Sequence, residues 1–222
     1  MLQYIIVCLF IVYILYLLYN STKETMNIGF NWFSNNDMKE FETIEIDDLH
    51  GYVLPHAGTR YTGNILSHTL RFKPKKKFTK VIILYLPSSS EPNVGDDYHE
   101  HYVPYNSIQY IINNVWKVKN ITYEKYNIVD NEPINYTNES IVIVSADFSH
   151  FLDLHKAIEL ENKAAHAIMH RELTTNTDYI KVIDHVDTFK KLYEIIPKDY
   201  ILQWVGRTRS EGEKGVGYLS FL

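Results

Sequence analysis

Three histidines in this sequence stand just past three apolar runs. His56 follows Tyr52-Val53-Leu54-Pro55 and opens a glycine-punctuated turn that reaches Gly63. His101 lies beyond Val81-Ile82-Ile83-Leu84-Tyr85-Leu86 and the polar loop after it. His150 follows Ser140-Ile141-Val142-Ile143-Val144-Ser145 directly, with Asp147 three residues before it. Imidazole is both a metal ligand and a proton carrier near neutral pH, and a carboxylate three residues away in a tight turn can orient it or share a ligand with it. Two imidazoles and a carboxylate on one face hold non-haem iron(II) with positions left open, although copper and zinc accept imidazole as well. A metal-free reading stands beside this one, in which His150 and Asp147 form a general-base pair for hydrolysis. His99 and His101, two residues apart, face the same side of an extended segment. They are either a chelating pair or one functional histidine with a neighbour.

These side chains need a scaffold that brings distant segments together. The runs at 52–54, 81–86 and 140–145 are short, β-rich and nearly all apolar, as strands buried on both faces of a parallel sheet are. Residues 64–70 carry helical apolar spacing at Ile65, Leu66 and Leu70. Residues 154–173 read as a long helix with Ile158, Ala165, Ile168 and Met169 inward and Glu159, Glu161, Lys163 and Arg171 outward. His155, His166 and His170 fall on that helix as surface residues. A further helix covers about 187–196, preceded by Asp184-His185, and residues 200–205 and 216–221 read as closing strands. Strands alternating with helices give an α/β domain with a central, largely parallel or mixed sheet flanked by helices. In such a sheet the loops past the carboxyl ends of the strands form the binding crevice, so the three histidines should share one pocket.

The amino terminus differs in kind. Residues 2–19 are almost all apolar, and about 18 residues rise about 27 Å as a helix, the thickness of a hydrocarbon core. With no basic start and no small-x-small site, the run reads as an uncleaved single-pass transmembrane anchor, followed by a tether at 20–45 and the domain at 46–222. Four Asn-x-Ser/Thr sequons, at Asn20, Asn120, Asn135 and Asn138, permit a lumenal placement without requiring it. The only cysteine, Cys8, lies inside the apolar run, which excludes an intrachain disulfide and a thiolate site in the rest of the chain. A formal charge of −5 gives no electrostatic footprint for nucleic acid. The one basic run, Lys73-Pro74-Lys75-Lys76-Lys77, reads as a solvated loop.

Taken in order, Pro55-His56-Ala57-Gly58 with Tyr61 and Gly63, Leu86-Pro87-Ser88, His101-Tyr102-Val103-Pro104 and Ser145-Ala146-Asp147-Phe148-Ser149-His150 resemble the Memo family, relatives of the class III extradiol dioxygenases. Residues 158–163 and Gly215-Val216-Gly217-Tyr218 are similar to that family in position and character, so the resemblance covers most of 46–222. It implies an extradiol-dioxygenase-like α/β fold in which His56 and His101 hold a redox metal, iron(II) or copper, and Asp147 and His150 complete the pocket, His150 handling protons. The sequence departs from the family at about Thr208, where its cysteine ligand falls, and a missing thiolate weakens copper(I) more than iron(II). The family's acidic segment before Ser145 is reduced to Asn131-Glu132-Pro133-Ile134, and its amino-terminal part is replaced by the apolar run. The resemblance implies an oxidoreductase or, with the thiolate gone, a non-catalytic module that binds a peptide or protein partner at a membrane. A metal-dependent hydrolase is the third reading.

Overall fold

The structure is a computed structural model, and it describes residues 32–87, 98–174, 177–212 and 214–222. Among these residues eight strands, β1 (Ile44–Ile46), β2 (Gly51–Leu54), β3 (Phe72–Pro74), β4 (Lys80–Tyr85), β5 (Thr122–Asn127), β6 (Ser140–Ser145), β7 (Trp204–Arg209) and β8 (Gly217–Phe221), are interspersed with four α-helices, α1 (Thr59–Leu70), α2 (His99–Ile111), α3 (Leu154–Met169) and α4 (Val186–Ile195). Six strands form the central sheet in the order β5-β4-β6-β2-β8-β7. β5, β4, β6 and β2 run parallel, and β8 is antiparallel to both of its neighbours. The protein is therefore of the α/β class with a mixed central sheet flanked by helices.

Side chains on a strand alternate between faces, and both faces are apolar here. Val53, Ile82, Leu84, Val142 and Val144 meet α3 and α4 through Leu160, Ala164, Ile168, Phe189 and Leu192. Tyr52, Leu54, Val81, Ile83, Ile141 and Ile143 meet α1 and α2 on the other face, through Leu66, Leu70, Val103, Ile108 and Ile111. Trp32, Phe33 and Phe41 pack against this second core, so residues before β1 cover part of the domain. Gly63 in α1 lies against the backbone of Asp37, where a Cβ would collide.

Five features differ from the sequence reading. β5 is a polar edge strand, Tyr123-Glu124-Lys125-Tyr126 with one face toward solvent, and it lacks the apolar run that marks its neighbours. The basic run is not a free loop: β3 pairs with β1 in parallel, and Lys73 and Lys75 meet Glu45 and Asp47 at 3.1 and 3.0 Å. Glu161 is buried against Ser149, with Arg207 at 3.4 Å and Arg209 at 3.9 Å, instead of facing outward with Glu159. The strand expected at 200–205 lies further along as β7.

The fifth concerns the membrane. No helix among the described residues is long and apolar enough to cross one. The longest, α3, has 16 residues, rises about 24 Å, and carries Lys156, Glu159 and Lys163 on its exposed face. The expectation of a single-pass membrane protein is corrected on this finding. The apolar run at 2–19 lies outside the described residues.

Candidate metal centre

Two parallel strands set the centre of the site. β2 and β6 are adjacent, with Leu54 opposite Ser145, and His56 and Asp147 each stand two residues beyond that pair. The backbone N–H of Ala146 donates to Leu54 O at 3.1 Å, extending the ladder by one bond. The chain then leaves the sheet, and both side chains lie at its carboxyl edge, the usual crevice of an α/β sheet. The N–H of His56 donates to Asp147 Oδ1 at 2.9 Å, which fixes the carboxylate against the turn.

A third segment arrives from the far side of the sheet. The N–H of Asp184 donates to Asp147 O at 3.2 Å, and His185 caps the amino end of α4 with its carbonyl accepting from Thr188. Asp184 Oδ2 thereby sits 3.3 Å from His56 Nε2 and 3.2 Å from His185 Nε2. Ligand atoms of His56, Asp184 and His185 all lie within 4.8 Å of one another. Donors at about 2.1 Å from one ion stand about 3.0 Å apart at octahedral corners and about 3.4 Å apart at tetrahedral ones, so the two short separations fit a shared cation.

The tautomer of His56 supports the same conclusion. Its Nδ1 lies 3.0 Å from Ser145 Oγ, and Ser145 donates its only proton to the Glu100 carbonyl. A carbonyl can only accept, so Nδ1 must be the donor to Ser145. The other nitrogen, Nε2, then presents its lone pair to Asp184 and, at 3.7 Å, to Asp147 Oδ2. Three acceptors facing one another in a buried site repel unless a cation lies between them. Either a proton or a metal ion meets that demand.

In the metal-free chain the proton does so. Burial opposes charge on His56, but Asp147 and Asp184 outweigh it and raise the pKa to about 9. Burial likewise works against charge on Asp184, yet its bond to His56 and the surrounding histidines bring it down to about 2. His185 goes the other way: burial lowers it to about 4, so it is a neutral imidazole at pH 7, ready to ligate. Its Nε2 is buried and makes no hydrogen bond. Asp147 is pushed up by burial and by Asp184, offset in part by His56.

The expected site residues fall as follows. His56 and Asp147 are together in the site. His101 is not with them, because residues 99–111 form a helix, and positions two apart on a helix point about 200° apart. His99 therefore stands edge-on to His56 with ring centroids 5.2 Å apart, while His101 stands against Tyr85 at 4.7 Å. His150 contributes to the field at Asp147, Asp184 and His185, but it is outside the converging set and lines a groove of about 320 Å³ with Leu152, Lys156, Leu160 and Lys181. Thr208 is half-buried on β7 opposite Tyr218, outside the same set. Asp184 and His185 were absent from the sequence constellation; the signal that marks them is an Asp-His pair at the start of a helix.

Fold and site together define an α/β protein with a two-histidine, one-carboxylate cluster at the carboxyl edge of its sheet, its imidazoles buried and Asp184 reaching solvent. No protein-family model matches the chain, and no curated protein matches it either.

Proposed function

We propose that the protein is a mononuclear metalloprotein of the Memo-like, extradiol-dioxygenase-like kind, with His56, Asp184 and His185 as its metal ligands and oxidation of an organic substrate as its reaction. The observation that carries the reading is the convergence of Asp184 Oδ2 on His56 Nε2 and His185 Nε2, at 3.3 and 3.2 Å. Two imidazoles and one carboxylate form the donor set that holds non-haem iron(II), and without a thiolate the set is less suited to copper(I). Iron(II) held by these three residues would supply open positions for dioxygen and substrate.

The chain's own residues do the rest. Ser145 fixes the His56 tautomer, as outer partners of metal-bound histidines do. Asp147, buried and with its pKa raised, stands beside His56 and is placed to hold a substrate proton. His150, which acts electrostatically on Asp147, Asp184 and His185, is the residue assigned to proton exchange with solvent. Kinship with the Memo family rests on the order of the His56, His101 and Asp147–His150 segments, with His99 taking the position nearest His56.

Asp147 also favours a second reading. A carboxylate 3.7 Å from His56 Nε2 can act as base for a water molecule, as zinc hydrolases require. Metal analysis and oxygen uptake of the purified full chain separate the two readings. The oxidative reading expects about one equivalent of iron in the wild type, its loss in His56→Ala and His185→Ala, its retention in His101→Ala, and oxygen uptake with the iron-loaded protein. Equal metal content in wild type and His185→Ala overturns the site. Ester or amide turnover with zinc and no oxygen uptake replaces the oxidative reading with the hydrolytic one. Capture of a peptide partner unaffected by chelator and by His56→Ala replaces both with a binding module.

A further inference from the structure

A second histidine-centred cluster lies at the opposite end of β2. His50 is buried just before the strand, with Nε2 2.8 Å from Asp48 Oδ1 and its ring edge-on to Tyr200 at 5.0 Å. An ionised carboxylate only accepts, so Nε2 carries the proton and Nδ1 presents a lone pair. Two donors converge on it: Tyr136 OH at 2.7 Å and Lys76 Nζ at 3.2 Å.

Lys76 belongs to the basic run, and its neighbours show what is unusual about it. Lys73 and Lys75 each rest on a carboxylate, Glu45 and Asp47. Lys76, half-buried, has no carboxylate within 4.0 Å among the described residues, and its amine points at an imidazole instead. An ammonium that faces a base and has no counter-ion gives up its proton more readily than a paired one. Burial depresses its pKa in the same sense, opposed in part by Asp48. The side chain of Asp48 is 81% exposed, so the far end of this relay is open to water. Lys77 is exposed beside it and makes no ion pair among the described residues, which leaves a cation available to an anionic group.

We propose that Lys76 is a nucleophilic amine, with Asp48 and His50 as its base, and that it captures small carbonyl compounds bearing an anionic group as imines. His50 Nδ1 takes a proton from the ammonium, and Asp48 holds the resulting imidazolium. The freed lone pair on Nζ forms the C–N bond, and the carbonyl electron pair moves onto oxygen. Two of the three ammonium protons pass in turn through His50 to that oxygen, which leaves as water. One proton stays on the iminium nitrogen, and nothing is oxidised or reduced. This site is independent of the metal centre.

The test exposes the full chain to pyridoxal 5′-phosphate, fixes imines with borohydride and maps adducts by peptide mass spectrometry. Because the Lys76 amine faces an imidazole base and Lys77 does not, adduct at Lys76 should exceed that at Lys77 by about tenfold or more. Lys76→Arg should remove it. His50→Gln and His50→Asn should bring Lys76 down to the level of Lys77, and an unchanged thermal melt identifies the variant that keeps the fold. Lys77 labelled as fast as Lys76, or Lys76 labelled at the wild-type rate in a folded His50 variant, overturns the proposal.

Discussion

His50 and His56 flank the same four-residue strand, and both are buried, yet their surroundings ask opposite things of the ring. At His56 the inner nitrogen donates to Ser145, and the outer one faces Asp184 and Asp147, both acceptors. At His50 the outer nitrogen donates to Asp48, and the other faces Tyr136 and Lys76, both donors. The first environment calls for a cation; the second supplies protons to a base. Burial and residue type are shared, so the neighbours' hydrogen-bonding character decides the chemistry.

Substitutions on the two sides break this comparison in different ways. The largest effect belongs to Asp184→Asn, which keeps the shape and removes the charge: metal affinity should fall a hundredfold or more, measured by competition with a chelating dye, while His50→Gln leaves it within about twofold. Ser145→Ala frees the His56 tautomer without touching a ligand, and about ten- to hundredfold weaker binding is expected by the same titration. An unchanged affinity in Ser145→Ala would show that Ser145 does not set the His56 tautomer.

The smallest step, per unit, is with pH. A group whose folded pKa is raised contributes stability that is complete below its unfolded value and is lost as pH rises through the folded one. With His56 raised to about 9, the metal-free protein loses that contribution between about pH 6.5 and 9. Metal must displace the same proton, so affinity should rise about tenfold per pH unit over this window and level off above it. His185, lowered to about 4, is already neutral there and adds no slope. His56→Gln should flatten the metal-free stability profile, followed by urea unfolding at several pH values.

The parallel heart of the sheet was legible because Val81-Ile82-Ile83-Leu84 and Ile141-Val142-Ile143-Val144 are buried on both faces and leave an unbroken apolar trace. β5 and β7 sit at the edges, where only one face is covered, and their polar sequences carry no such trace. His56 and Asp147 were legible for a related reason: they end apolar runs, and adjacent parallel strands deliver their carboxyl ends to one place. Asp184 and His185 follow a short 3-10 turn and no strand, so the pattern that found the others passes over them. The change from His101 to His99 comes from reading an extended segment where a helix starts, which turns neighbouring histidines to different sides. Glu161 shows the limit of helical periodicity, since a carboxylate on a buried face is drawn in by Ser149 and two arginines that the spacing does not reveal.

The central claim is that one ion sits between three named side chains, and anomalous diffraction from crystals of the metal-loaded full chain tests it most directly. A single metal peak about 2.1 Å from His56 Nε2, Asp184 and His185 Nε2 is the predicted result. A peak held instead by His101, or by the exposed pair His166 and His170 at the carboxyl end of α3, with His56 and His185 bearing no metal, would contradict it.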